Sequence, residues 1–576
     1  MKRHFLSTIL LTFAATAGTN IAGAGSTGLG NSDWAQILQA YERYRHVAVA
    51  QQAYLKPSNT DRDDGFGKSV AVSGDIAVVG APFEDSNGTG VNAGSQADNS
   101  ASSSGAAYVF VRSNGVWTQE AYLKASNTDA GDQFGRIVAI SGNTIVVGAP
   151  NEDGGGSGVN ASSQADDGAE DSGAAYVFVR MAGAWAQQAY LKASNADSRD
   201  GFGSSVAISG DVIVVGAAGE SGAGKGANPS SAADNSKKAS GAAYVFVRSN
   251  GAWSQDAYLK APNTDMDDRF GAAVAVSGDT VVVGASGEDG DGAGVNPSSQ
   301  SDNSLEDSGA VYVFERSKGT WRQSAYLKAS NPDEADRFGG RVAVSGDTVV
   351  VGTPYEDGNG DGIDSAFQAD NGAYGAGAAY VFQRDRKGRW RQEAYLKASN
   401  AEAQDGFGEA VDIAGDVAVV GARSEDGSGM GVNPDAGDNN DVYRSGAAYV
   451  FVRTAGAWSQ QAYLKASNRD ANDYFGEAVA VSDDTVIAGA PAEDSSAVGV
   501  NAPWTDNTAG SSGAAYVFRN LDACVDVYDG YELWVRIRTN TAELPFDDFN
   551  GDGTLDTSDI YALGEQCTNY GCAPCD

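Results

Sequence analysis

Along most of the chain, short apolar runs alternate with clusters of Gly, Asn, Asp and Ser, and the runs come in fours. One set reads "FGRIVAIS" (134–141), "TIVVGAP" (144–150), "GAAYVFVR" (173–180) and "WAQQAYLK" (185–192). Val, Ile, Tyr and Phe dominate these runs and no helical period survives, so each run predicts a strand. The breaks SGN (141–143) and MAG (181–183) are short enough for tight hairpins. Each set therefore predicts a four-stranded antiparallel sheet.

The set recurs at Phe66, Phe134, Phe202, Phe270, Phe338, Phe407 and Phe475, with a spacing of 68 residues everywhere except 69 between Phe338 and Phe407. The extra residue falls in the turn between Phe382 and Trp390. Seven copies of four strands predict an all-β fold, a seven-bladed β-propeller of four-stranded antiparallel blades. A lone fourth-strand segment, "QAYLK" (52–56), precedes the first copy, and the last copy stops at "GAAYVF" (513–518). Val47 to Lys56 is thus expected beside Ala514 to Phe518, closing the ring and hiding two strand edges. Six copies, from Trp117 to Trp458, place a Trp four residues before the Ala of AYLK, where the N-terminal strand has Val49. That recurrence assigns the Trp residues to packing between blades.

These units resemble FG-GAP repeats, the blades of the integrin α-subunit propeller, over about Val47 to Arg519. The resemblance implies extracellular ligand binding and calcium. Integrin-type blades hold calcium in an acidic DxDxDGxxD loop between FG and GAP. Here only SGD or SGN stands there, as at Ser73 to Asp75, so that metal site does not carry over.

The flanks add to this organisation. Residues 1–24 read as a signal peptide, with Lys2 and Arg3, an apolar run from Phe5 to Ala17 and the small-residue pattern Ala22-Gly23-Ala24. No later apolar run approaches the roughly eighteen residues needed to cross a bilayer. Residues 25–46 hold a short helix pattern, with Trp34, Ile37, Leu38 and Tyr41 after a Ser32 cap. The propeller is assigned to 47–519 and a small C-terminal module to 520–576. Cys524, Cys567, Cys572 and Cys575 all lie in that module. In an exported chain they predict two disulfides of open connectivity, with a zinc site as the alternative.

Net charge is −37. A polyanion repels nucleic acid and anionic lipid and favours cations, although carboxylates also serve simply to solvate a protein. In an up-and-down blade the fourth-to-first and second-to-third connections emerge on one face, and both are acidic here. The second-to-third loop spans about 25 residues, such as Pro82 to Gly105. A Glu-Asp pair opens it in six copies (Glu84-Asp85, Glu152-Asp153, Glu288-Asp289, Glu356-Asp357, Glu425-Asp426, Glu493-Asp494), and Glu220-Ser221 is the exception. A second acid follows at Asp98, Asp166, Asp234, Asp302, Asp370, Asp438 and Asp506. Oxygen donors on Gly-rich loops suit calcium; the competing reading is turn geometry. In the fifth copy "DGNGDGID" sets out Asp357, Asn359, Asp361 and Asp364 as candidate ligands, with Gln368 where an acid would complete the loop.

The tail carries a fuller pattern. In "DFNGDGTLDTSD", Asp548, Asn550, Asp552, Thr554 (through its carbonyl), Asp556 and Asp559 alternate around the turn at Gly553, enough oxygens to surround one calcium. The loop resembles that of a dockerin, or F-hand. Dockerins normally carry two such loops and 522–576 holds one, so the resemblance implies a calcium-stiffened module rather than cohesin docking.

Catalysis is limited by what is missing. His46 is the only histidine beyond the leader and no Cys lies in the propeller, which removes histidine triads and thiol chemistry there. Paired-carboxylate glycoside hydrolysis is the remaining enzymatic reading. After FG the copies diverge, with Lys68, Arg136, Ser204, Ala272, Gly340, Glu409 and Glu477 on the innermost strand, a channel basic on one side and acidic on the other. The sequence is read as an exported, calcium-associated binding or adhesion scaffold at the cell surface or secreted, not an enzyme, engaging an extracellular protein or glycan through its acidic loop face. A carbohydrate-acting enzyme and a passive matrix component are the alternatives.

Overall fold

In a computed structural model, the structure describes residues 49–520 apart from 95, 162–165, 231–233, 366–367, 369, 435–438 and 505. The leader, the 25–46 segment and the 520–576 module, with its four cysteines and the 548–559 loop, lie outside the described residues except for Asn520. Among the described residues there is no helix, and so none long and apolar enough to cross a membrane.

Seven antiparallel sheets form a closed ring. Blade one comprises Ser69–Ser73, Ile76–Ala81, Ala106–Ser113 and Val116–Leu123, hydrogen-bonded in that order, and blades two to six repeat it, blade six adding the two-residue strand Gly431–Val432 outside its fourth. Blade seven takes Ala478–Ser482, Thr485–Ala490 and Ala514–Asn520 from the C-terminal end and Val49–Leu55 from the N-terminal end. The expected closure is present, with Tyr54 opposite Tyr516 and Leu55 opposite Ala515. Each third-to-fourth strand pair carries a register shift, at Val109/Phe110 in blade one and Gln51/Ala53 in blade seven. The N-terminal strand thus reproduces its role in detail. The extra residue of blade five sits where expected, in a turn pinned by Asp385 and Arg389.

First strands touch first strands around the whole ring, so they line the axis. Each second strand is wholly or almost wholly buried, as in "TIVVGA" 144–149, because it is covered by a neighbouring blade on both faces. Between the sheets Phe66 meets Tyr108 edge-on at 5.4 Å and Tyr108 meets Tyr122 at 5.2 Å, a column repeated in each blade.

The FG and GAP glycines explain why the motif recurs. Gly135, with φ +90, opens blade two against the backbone of Gly80, the GAP glycine of blade one. A Cβ on Gly80 would fall inside the Gly135 carbonyl oxygen, and one on Gly135 inside that of Ala106. Blades approach backbone to backbone here, and only glycine leaves room.

The Trp residues do join blades. Trp117 Nε1 donates to Gln52 Oε1 of blade seven at 2.9 Å, and Trp185 to Glu120 of the preceding blade at 2.8 Å. Trp390 has no acceptor, because Ser324 stands where the other blades place Gln, Glu or Asp.

Candidate functional site

Each long second-to-third loop crosses the face and returns beside the next blade. Ser104 at its end accepts Phe134 N at 3.0 Å, so the long loops and the fourth-to-first loops do share one face. On the way the loop lies along the outer strand of its own blade: Val91 bridges Leu123, Asn92 N donates to Tyr122 O at 2.7 Å, and Tyr122 N donates to Asn92 Oδ1 at 2.9 Å. Part of the exposed edge is thereby covered.

The repeated acids mostly build this loop. Glu84 is buried, and Lys124 Nζ sits 3.0 Å from its Oε2, while Tyr122 OH and Asn59 Nδ2 donate to Oε1 at 2.9 and 3.0 Å. Lys124 also donates to Ser104 Oγ at 2.7 Å, locking the far end of the loop. The Lys–Glu pair recurs in all seven blades at 2.5–3.1 Å, the Lys being the last letter of AYLK, and in blade seven it joins Lys56 to Glu493. Burial lowers each of these lysines from its ordinary value and the Glu opposes it. The Asn reaches in from the loop that precedes the blade, so the network also ties neighbouring blades together.

The second member of each pair is a cap. Asp85 Oδ1 accepts Ser103 N at 2.7 Å, and the same bond recurs in all six copies at 2.5–2.8 Å. Ser221 Oγ makes it in the exceptional third blade, at 3.3 Å from Ala239 N. These contacts match the turn-geometry reading of the loops. The Glu is already neutralised by Lys, and the Asp holds backbone. Second acids such as Asp98 and Asp302 accept the N–H two residues on, at 2.9 Å in both cases.

Of the fifth-blade candidates, Asp357 caps Gly375 N at 2.7 Å, and Asp364, φ +50, stands at the Asn92 position and accepts Tyr395 N at 2.9 Å. Asn359 and Asp361 are exposed. Among the described residues no three His, Cys, Asp or Glu side chains converge as a metal site. Sequence spacing alone does not show that two of these four donors serve the backbone.

Sequence reasoning passed over a further carboxyl, the Asp two residues before each FG phenylalanine. Asp64, Asp132, Asp200, Asp268, Asp336, Asp405 and Asp473 are all buried, each accepting the N–H three residues back, as Asp64 does from Asp61 at 3.0 Å. Burial pushes these carboxyls up, to about 7 at Asp200 and Asp268 and to about 8 at the others.

At the axis the expected division into basic and acidic sides does not hold. Glu477 pairs with Lys68 and, at 3.0 Å, with Arg423 Nη1. Glu409 pairs with Arg341 at 2.5 Å and lies 3.7 Å from Arg423 Nε. Arg423 occupies the place of the GAP proline, and that break in the motif was the available signal.

Closed ring, four-stranded blades and backbone-contact glycines define a seven-bladed β-propeller. The FG-GAP repeat family matches residues 49–110, 117–178, 185–246, 253–314, 321–382, 390–451 and 458–518, one match per blade, and the chain belongs to that family. Among curated proteins none matches it.

Proposed function

We propose that this protein is an exported binding scaffold whose loop face engages an extracellular protein or glycan. Membership of the FG-GAP family supports a binding role, and the observation that carries the choice of surface is the distribution of exposed apolar side chains. Tyr355, Tyr374, Met430, Tyr443, Val498 and Trp504 stand out from the loops of blades five to seven, at 37–69% exposure. Among the described residues, blades one to four contribute only Met266 to the same face. Exposed aromatics on otherwise polar loops are the usual anchors of recognition surfaces. The contact sector is thus narrower than the acidic face read from sequence.

Calcium enters this reading through Asp548, Asn550, Asp552, Thr554, Asp556 and Asp559, on the strength of their spacing. Equilibrium dialysis of the full chain should find one bound calcium that Asp552→Ala removes. The main test is an array of glycans and extracellular proteins probed with the full chain. Tyr374→Ala and Tyr443→Ala should each weaken a captured partner by about tenfold or more, whereas Met181→Ala, on the opposite face, should not. Equal binding by all three variants would refute the assignment.

A further inference from the structure

The hairpins that join third to fourth strands carry a charge pattern that the repeat does not dictate. Apart from the buried lysine of AYLK, the hairpins of blades one, two, three and six hold one cation each, Arg112, Arg180, Arg248 and Arg453. Blade four instead carries Arg316, Lys318 and Arg322. Blade five carries Arg384, Arg386, Lys387, Arg389 and Arg391, on the one hairpin that is a residue longer than the rest. The acids of these two hairpins are Glu315, Asp385 and Glu393. A basic patch thus stands on neighbouring blades of a chain whose net charge is −37.

Contacts join the two hairpins. Arg384 of blade five pairs with Glu315 of blade four, and Glu315 lies opposite Arg322 across its own strand pair. In blade five Gln383 lies opposite Arg391 and accepts from its Nη2 at 3.1 Å. Asp385 orders the longer turn: its Oδ1 accepts Lys387 N at 2.7 Å and Arg389 N at 3.0 Å, and its Oδ2 accepts Arg389 Nε at 2.9 Å. Arg386 and Lys387 are thereby held at the tip. Lys318, Arg322, Arg386 and Lys387 are exposed, and among the described residues their side chains make no ion pair or hydrogen bond. Trp321 and Trp390 are buried beneath Arg316 and Arg384, and neither hairpin exposes a large apolar side chain.

Like charges set side by side repel one another, so solvation alone is poorly served by gathering cations on two adjoining blades. An anionic counterpart relieves that repulsion. At physiological salt the acids elsewhere on the chain are screened beyond about 8 Å, so the patch acts on what lies against it. A row of cations across two blades suits an extended ligand better than a single small ion. Without exposed aromatics it offers no platform for stacking bases, and without exposed apolar side chains it has nothing to insert into a bilayer. Arg forks match carboxylate and sulfate groups.

We propose that the hairpins of blades four and five bind a linear anionic polysaccharide bearing carboxylate or sulfate groups, with Lys318, Arg322, Arg386 and Lys387 as its free donors. This patch lies on the face opposite the aromatic sector of blades five to seven, so either assignment can fail while the other stands.

The test is biolayer interferometry of the full chain at physiological salt with polygalacturonate, dextran sulfate, neutral dextran, single-stranded DNA and phosphatidylglycerol vesicles. Saturable binding of polygalacturonate or dextran sulfate is expected, weakening as salt is raised, and the tighter of the two identifies the preferred acidic group. Neutral dextran should not bind. Arg386→Gln with Lys387→Gln should weaken the anionic polysaccharide by about fivefold or more. Neither side chain has a partner to lose, so this variant should keep the parent melting temperature. Lys225→Gln with Lys238→Gln removes the same charge from exposed positions on the loop face and should leave binding unchanged, as should Tyr374→Ala. The proposal is overturned if neither anionic polysaccharide binds saturably, if dextran binds as well, or if DNA or vesicles bind more tightly. It is equally overturned by unchanged affinity in the Arg386 and Lys387 variant, or by an equal loss in the Lys225 and Lys238 variant.

Discussion

Lys56 Nζ lies 3.0 Å from Glu493 Oε2, and both side chains are buried although 437 residues separate them. The pair joins the N-terminal strand to the opening of the last long loop. Breaking a buried pair strands the remaining charge, which costs about 3–5 kcal/mol. Lys56→Met should therefore lower the melting temperature clearly, and Lys56→Met with Glu493→Gln should recover much of the loss. Thermal denaturation of the three proteins followed by circular dichroism checks this.

Gly135 and Gly142 separate two roles of glycine, since both have positive φ but only Gly135 faces backbone from the neighbouring blade. Gly142→Ala meets nothing within 4 Å and should cost only the left-handed penalty of about 1–2 kcal/mol. Gly135→Ala must push two blades apart and should prevent stable folding or lower the melting temperature far more. Similar melting temperatures for the two variants would contradict the account of FG given above.

Trp390 Nε1 is buried without an acceptor. Ser324→Gln restores the side chain that Gln52 and Gln188 supply to their Trp partners, and should stabilise the ring by about 1 kcal/mol. A matched Ser324→Ala control should not stabilise, and chemical denaturation distinguishes the two.

The seven buried Asp carboxyls are raised in the folded chain, so folding takes up protons between the ordinary Asp range near 4 and about 8. Their contribution to stability is fully present below about 4 and is lost as pH rises through 7 to 8. The lowered lysines act in the opposite sense, so substitution isolates the carboxyl better than the pH curve does. Asp336→Asn keeps an oxygen for Asp333 N and should raise the melting temperature by about 1–2 °C at pH 8.5, with little change at pH 5.

Much of the fold was legible because a repeat states its own period. The spacing of seven Phe-Gly pairs, the unpaired QAYLK and the displaced residue before Trp390 each mapped onto a feature of the ring. The site was less legible. Spacing marks Glu84 as an oxygen donor but gives no sign of Lys124, 40 residues on and just past the outer strand, which sits against it. A carboxylate written in every blade serves every blade. The irregular positions Arg341, Glu409, Arg423 and Glu477 carry the asymmetry, and their pairing follows from ring geometry that no local pattern encodes.

Blade seven places the earliest strand of the ring next to its latest. As the polypeptide emerges, residues 49–55 have no proper neighbour until 514–520 arrive, so the longest-range strand pairing among the described residues is also the one that seals the ring. Until then both ends offer raw sheet edges to any similar chain nearby. Because the blades are near-copies, the strand of one molecule could complete the ring of another, and dilution or assisted folding would decide between a sealed monomer and a chain of exchanged partners.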